Sequence, residues 1–360
     1  MGPAFLPASR FRCTISPVTL AAFGTIMALA LGITAGANAS IGSAEGSEDL
    51  KPIMLATQGA FEAGGGALDE GGKTLSCDHG YVEYQIPVNA RQTSLFMWHS
   101  SSVKVWQSRW DGGEGFQSIF LRKGFPVYLW DGPRVGRANW GCADYTYQPR
   151  AGRDQQNFVS WRFGAEFPQW FPGVQFPVDS AEAWDQATRA RYEEFDTIEN
   201  AQLQSDAAAN AIDRIGPAVL VTNSAGGFRA LLTALKSDSV KGIVAYENPG
   251  YVLPEGTEPV ADTGYFPPVF VSSQEFAKLT RIPIQLVFGD YIDKSPTWTN
   301  YRNNAVQFAD LVNAAGGNAE ILDLPAAGLH GNTHIPFADL NNVDVANELS
   351  RFLEKHKLDQ

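Results

Sequence analysis

Cysteine is scarce in this chain: three in 360 residues, Cys13, Cys77 and Cys142, with no Cys-x-x-Cys spacing and no cluster of cysteine with histidine. A structural zinc site of the usual ligand sets is therefore not indicated. Histidine is nearly as rare, at five residues, so chemistry that needs an imidazole has few places to find one. Charged residues make up 18% of the chain, and 39 acids against 27 bases leave a net charge of −12. That sign makes nucleic acid or an anionic membrane surface an unfavourable partner. Internal repeats and long low-complexity tracts are lacking as well.

What is present is a hydrophobic fraction of 44%, which at this length suits one large domain or a domain carrying an inserted cap. The first 39 residues read as a leader rather than as part of the fold. Arg10 and Arg12 precede an uncharged run from Val18 to Ile33, and Ala35-Gly36-Ala37-Asn38-Ala39-Ser40 supplies a small-residue cleavage site. These features predict a signal peptide over 1–39, cut after Ala39, and a periplasmic or secreted protein. An uncleaved membrane anchor is the alternative reading of the same run. Cleavage removes two positive charges and Cys13, so the mature chain carries about −14. Cys77 and Cys142 remain, and in an exported protein they are candidates for a disulfide, against two separate buried thiols.

Residues 40–57 read as a polar lead. Gly59–Ala63 and Tyr81–Val88 alternate in polarity and predict an opening hairpin with its turn in or near Gly64-Gly65-Gly66. Strands are expected over Ser94–His99, Pro126–Trp130, Ala218–Asn223, Val240–Tyr246, Ile282–Phe288 and Ala319–Leu324, alternating with helical stretches that include a last one over Val343–His356. Such alternation implies an α/β fold with a mainly parallel sheet. Regularity breaks after Pro133. From Arg134 to about Pro177 the chain is rich in Trp, Phe, Pro, Gly and Arg, and helices are expected over Ser180–Arg191 and Asp196–Ile212. So long an excursion between core strands predicts a cap over 134–215, with 58–133 and 216–360 forming the core. Most of its rings are expected to pack within the cap or against the sheet, and a minority to face substrate.

The run Val219-Leu220-Val221-Thr222-Asn223-Ser224-Ala225-Gly226-Gly227 is strand, sharp turn and helix start. A serine at such a turn is the nucleophile elbow of α/β-hydrolases, usually G-x-S-x-G; here Thr222 replaces the first glycine. An ordinary turn in which Ser224 merely caps a helix is the plainer reading. A serine nucleophile needs an adjacent base oriented by an acid. His330 and His334 both sit on the loop after the last strand, where the histidine of this fold belongs, and spacing alone does not choose between them. Asp290 and Glu247, each at a strand end, compete for the acid. One oxyanion donor is expected at the backbone of Ala225, at a helix N-terminus, and the other in the loop His99-Ser100-Ser101-Ser102. His99 itself is expected to be structural.

Several further segments, in order along the chain, resemble one group. They include Tyr84-Gln85-Ile86-Pro87, Trp110-Asp111-Gly112, Arg162-Phe163-Gly164, Gln175-Phe176-Pro177-Val178, Glu247-Asn248-Pro249-Gly250, Val287-Phe288-Gly289-Asp290 and His330-Gly331-Asn332-Thr333-His334. The chain from about residue 78 onward is similar to secreted microbial α/β-hydrolase esterases whose triad is Ser-Glu-His, with the acid after strand six. That resemblance implies Ser224 as nucleophile, Glu247 as acid, His334 as base and Ser101 as the further oxyanion donor. Paired cysteines in the oxyanion loop of that group are serines here, and the elbow is Thr-Asn-Ser-Ala-Gly. The expected activity is acyl-enzyme hydrolysis of a hydrophobic or aromatic carboxylic ester, with no cofactor, no metal, no nucleic-acid partner and no membrane partner after leader removal. A homodimer, a lactonase using the same triad, and a hydrolase-fold binding protein without turnover stay open.

Overall fold

The computed structural model describes residues 51–99 and 102–360. The expected signal peptide, most of the polar lead, and Ser101 lie outside the described residues.

Eight strands form the main sheet. Numbered along the chain they are β1 (Leu55–Glu70), β2 (Lys73–Pro87), β3 (Ser94–His99), β4 (Val127–Asp131), β5 (Ala218–Asn223), β6 (Val240–Tyr246), β7 (Pro283–Phe288) and β8 (Asn318–Asp323). Their spatial order is β1-β2-β4-β3-β5-β6-β7-β8. β1, β2 and β4 pair antiparallel, and every neighbour from β4 to β8 pairs parallel. A parallel strand covered on both faces needs apolar residues at every position rather than at alternate ones. β3 and β5 have all six residues buried and are apolar over Leu95–Trp98 and Ala218–Val221.

Alternation then sorts the side chains into two cores. Phe96, Trp98, Leu220 and Trp130 lie on one face, with the Trp98 and Trp130 rings edge to face at 6.1 Å. Leu95, Met97, Val219 and Val221 lie on the other, with Phe116, Phe120 and Phe352.

Helices cover both faces: α1 (Phe116–Arg122), α2 (Arg153–Ser160), α3 (Ala181–Arg189), α4 (Ile198–Ile215), α5 (Ala225–Ala234), α6 (Pro296–Ala314) and α7 (Asn342–Lys355). Their starts are written in the sequence. The side chains of Ser180, Thr197 and Ser295 accept hydrogen bonds from the backbone N–H groups of Ala183, Asn200 and Trp298, capping α3, α4 and α6. Pro296 then opens α6, where its missing N–H costs nothing.

The opening hairpin differs from expectation. Its turn is at Gly71-Gly72, both at positive φ, and β1 stays paired with β2 straight through Gly64 to Gly66. Gly64 serves a close approach instead. A Cβ on Gly64 would stand 2.6 Å from the Ala207 Cα of α4, which crosses the ribbon there.

The excursion after β4 contains α2, α3 and a small hairpin of Gly164–Glu166 with Gln169–Trp170. Phe158, Phe163, Trp170, Phe176 and Trp184 pack there as one aromatic cluster, with Trp170 and Phe176 stacked at 4.9 Å. Most rings of this segment thus pack on each other. α4 buries Ala201, Ala207, Ala208, Ala211 and Ile212 in the same core as Phe96 and Trp98, while Phe158, Phe163, Phe176 and Ala183 are buried with Leu95 and Met97. A disulfide between Cys77 of β2 and Cys142, with Cα atoms 5.1 Å apart, ties the start of this segment to the ribbon.

Candidate active site

Ser224 joins β5 to α5 with φ 54° and ψ −137°, a conformation that few non-glycine residues adopt and that the surroundings must enforce. Its N–H donates to the Tyr246 carbonyl at 2.9 Å, and its own carbonyl accepts from the Gly227 N–H at 2.9 Å. Both bonds hold the turn tight. Thr222 fits the first elbow position because the tight approach lies elsewhere. A Cβ on Gly226 would meet the Trp98 carbonyl at 2.8 Å but the Thr222 Cβ only at 3.6 Å, an ordinary contact. Glycine is thus required at 226 and not at 222. The N–H of Ala225 opens α5, where the helix ladder leaves the first amides without partners.

Glu247 follows β6 at φ 55° and is fully buried. Its Oε1 accepts from Arg162 Nη2 and from the Gly289 N–H, each at 2.6 Å, while Oε2 lies 3.5 Å from His334 Nδ1. Burial by itself would raise its pKa. Arg162 and then His334 outweigh that effect and hold the carboxyl below its usual range, so it is ionised.

His334 sits on the loop after β8 and is equally buried. Burial lowers its pKa below the ordinary histidine value, Glu247 raises it part of the way back, and Arg162 opposes that. The imidazole is therefore neutral near pH 7, as a proton acceptor must be. Its position is fixed from several sides. The His334 N–H donates to the Trp161 carbonyl at 3.0 Å, and Asn223 Nδ2 donates to the His334 carbonyl at 2.9 Å. Its ring stacks near Trp161 at 6.2 Å and lies 4.6 Å from that of Trp298. Ser224 and His334 line one cavity of about 460 Å³.

The competing pair is placed apart. Asp290 Oδ2 accepts from the Gly331 N–H at 2.8 Å, and Oδ1 accepts from the Tyr291 N–H at 2.7 Å. His330 stands 3.8 Å from Asp290 with 72% of its side chain exposed. Asp290 orders the loop; it does not face His334. His99 is buried, and its Nδ1 accepts from the Ser102 N–H at 3.1 Å. Burial, aided by His334, drives its pKa down to about 3, which keeps it neutral. The second expected oxyanion donor, Ser101, lies outside the described residues.

Sequence reasoning missed Arg162 as a working part. Its guanidinium is 1% exposed, donates to Glu247 and, through Nε, to the Asp290 carbonyl at 2.9 Å, and lies over the Trp298 ring at 4.8 Å. One cation thus clamps both strand-end loops. It also missed Asp339, whose Oδ2 accepts from the Thr333 N–H at 2.7 Å and whose Oδ1 accepts from the Thr333 hydroxyl at 2.9 Å. Burial pushes its pKa up to about 7 against those bonds. The sequence signals were the Arg162-Phe163-Gly164 segment, set amid aromatics, and an aspartate close behind the histidine loop. Among the described residues, no group of three or more His, Cys, Asp or Glu side chains is placed to hold a metal ion. No described helix is long and apolar enough to cross a membrane.

No family model matches the chain. It is 26% identical over 324 residues to a protein of a fungal species named "Probable secreted lipase phiG", covering 76% of this chain and 85% of that one. It also matches the solved structure titled "The Atomic Resolution Structure of a Novel Bacterial Esterase", with a TM-score of 0.72 and 26% identity over 85% of this chain and 98% of that one. The sheet order and this match give the chain the α/β-hydrolase fold, and both likenesses are to ester-cleaving enzymes, which makes carboxylic ester hydrolase its enzyme class.

Proposed function

We propose that this chain cleaves a carboxylic ester through an acyl-enzyme, with Ser224 as nucleophile, His334 as general base and then acid, and Glu247 as the carboxylate that orients the imidazole. The observation that carries the reading is the buried Glu247–His334 contact facing the cavity that Ser224 also lines. In the first step the Ser224 hydroxyl attacks the carbonyl carbon while His334 Nε2 takes its proton. Negative charge forms on the carbonyl oxygen and is met by the Ala225 N–H, at the positive end of α5, and by the Ser101 N–H. The alcohol leaves with the proton from His334. Water then repeats the sequence on the acyl-enzyme and restores Ser224.

The long Glu247–His334 separation agrees with this role, because such contacts are loose without substrate and tighten on binding. Glu247 also stays ionised beside Arg162, so it can stabilise the imidazolium that forms during turnover without itself taking the proton. The disulfide and the secreted relative support an extracytoplasmic location, periplasmic or secreted. A fluorophosphonate probe tests the assignment directly: it should add one phosphonyl group at Ser224, located by peptide mapping, and label at any other residue would refute the nucleophile.

A further inference from the structure

Two clefts of different lining meet at Ser224. The first, of about 460 Å³, is walled by the rings of Trp161, Phe171, Tyr265, Phe266, Trp298 and Tyr301. The second, of about 930 Å³, carries Tyr145, Tyr147, Tyr192, Asn157, four arginines and three acids. Ser224 and Trp161 line both. An ester held at Ser224 therefore has a cleft rich in aromatic rings on one side and one rich in charged pairs on the other.

The polar cleft has a specific electrostatic make-up: every ionised side chain lining it is in an ion pair. Arg134 pairs with Asp78, Arg137 with Asp131 and Glu83, Arg153 with Glu193, Arg191 with Asp154, and Arg229 holds both Glu194 and Asp196. A charged group would have to compete with a partner that already neutralises each opposite charge. An alkyl chain would strip water from partly exposed charges and return no hydrogen bond. A neutral hydroxylated group does neither. Each guanidinium has five donors and each carboxylate about four acceptor sites, so a pair leaves spare donors and acceptors of both kinds for hydroxyls, which can give and take. The volume suits a group the size of a sugar ring or larger.

We propose that the substrate class is an ester of an aromatic carboxylic acid with a neutral polyhydroxylated alcohol, the aromatic acyl group lying against Trp298 and Phe266 and the polyol lying in the arginine-carboxylate cleft. This rests on the reading of Ser224 as the nucleophile given above. The chemistry is unchanged: the acyl–oxygen bond breaks, the polyol leaves with the proton from His334, and water regenerates the serine.

The test compares kcat/KM for ethyl benzoate, 6-O-benzoylglucose, 6-O-octanoylglucose and trioctanoin in the wild type, in Ser224→Ala and in Tyr147→Phe. Benzoylglucose should exceed ethyl benzoate by roughly 10-fold or more, the effect of two or so net hydrogen bonds. It should also exceed octanoylglucose, and trioctanoin should be poorest. Tyr147, 57% exposed, supports little packing, and losing its hydroxyl should narrow the benzoylglucose advantage about threefold. A ratio of benzoylglucose to ethyl benzoate at or below one, or a preference for trioctanoin, overturns the substrate class. If ethyl benzoate turnover still vanishes in Ser224→Ala, the catalytic reading stands without it. Turnover that survives in Ser224→Ala removes both.

Discussion

Replacing Glu247 with glutamine separates the proposed acid from its competitor more sharply than any other change. In the wild type the carboxylate divides its work: Oε1 takes the Arg162 and Gly289 donors, and Oε2 faces His334 Nδ1 at 3.5 Å. Glutamine can keep its single oxygen on those two donors only by turning its NH₂ toward Nδ1. That nitrogen must then accept, the ring proton moves to Nε2, and Nε2 can no longer take the proton of Ser224. The wrong tautomer of this kind costs about 10⁴ in kcat, or about 5.5 kcal/mol of transition-state stabilisation. The same change leaves the Arg162 guanidinium buried without its counter-charge, a loss of about 3 kcal/mol or more in stability. Glu247→Gln should therefore fall by about four orders of magnitude in kcat and melt earlier. Asp290→Asn retains an oxygen for the Gly331 or the Tyr291 amide and should lose less than about tenfold. Steady-state kinetics on one ester, with circular dichroism to confirm folding, reads the ranking. A larger loss in Asp290→Asn would return the acid to the strand end after β7 and leave Glu247 as a structural carboxylate.

Ser224→Ala should cost on the order of 10⁶ in kcat with an unchanged circular dichroism spectrum; more than a tenth of the activity remaining would clear this serine of the chemistry. His334→Ala should be nearly as severe and the exposed His330→Ala close to wild type, so an inverted order would move the base to His330. Because burial holds His334 below the usual histidine value, kcat/KM should rise with pH as the imidazole loses its proton, with a midpoint under about 6.5; a midpoint at or above that value would contradict the buried placement. Intact mass of the unreduced protein should be two hydrogens short of the reduced form, and a Cys77→Ala/Cys142→Ala variant should lose about 4 kcal/mol for a loop of 65 residues in the chain-entropy picture. Two thiols titratable after denaturation without reductant would refute that pairing.

The sheet was legible because its signal is local. Continuous apolar runs mark β3 and β5, and serine or threonine caps mark the helix starts. Where the reading slipped, a residue's role depended on something distant. Gly64 to Gly66 have turn composition, but at Gly64 glycine is required because α4 crosses it from more than a hundred residues away. α4 reads as part of the cap by position, yet its alanine-rich face is buried in one core with Phe96 and Trp98. The Thr222 departure looks like a weak elbow only until the geometry places the tight contact at Gly226 and Trp98.

The same distinction explains why the choice between acids could not be made from spacing. Glu247 and Asp290 both end parallel strands, at the sheet edge where functional groups gather. What separates them is a third residue, Arg162, contributed by the segment that local patterns describe least well. Its guanidinium grips the side chain of Glu247 but only the main-chain carbonyl of Asp290. That asymmetry leaves the Glu247 carboxylate buried, ionised and turned toward His334, while the Asp290 carboxylate is spent on the amides of its own loops. The aromatic segment is thus more than a cover. Trp161 holds the His334 backbone, and its neighbour Arg162 sets the charge of the carboxylate behind the imidazole. The catalytic reading therefore predicts that Arg162→Met, which keeps volume and removes the cation, lowers kcat by weakening Glu247 as an anion. The pH midpoint of kcat/KM should shift with it, since Arg162 and Glu247 act on His334 in opposite senses. A variant that lost stability yet kept both kcat and the pH profile would reduce Arg162 to a packing residue.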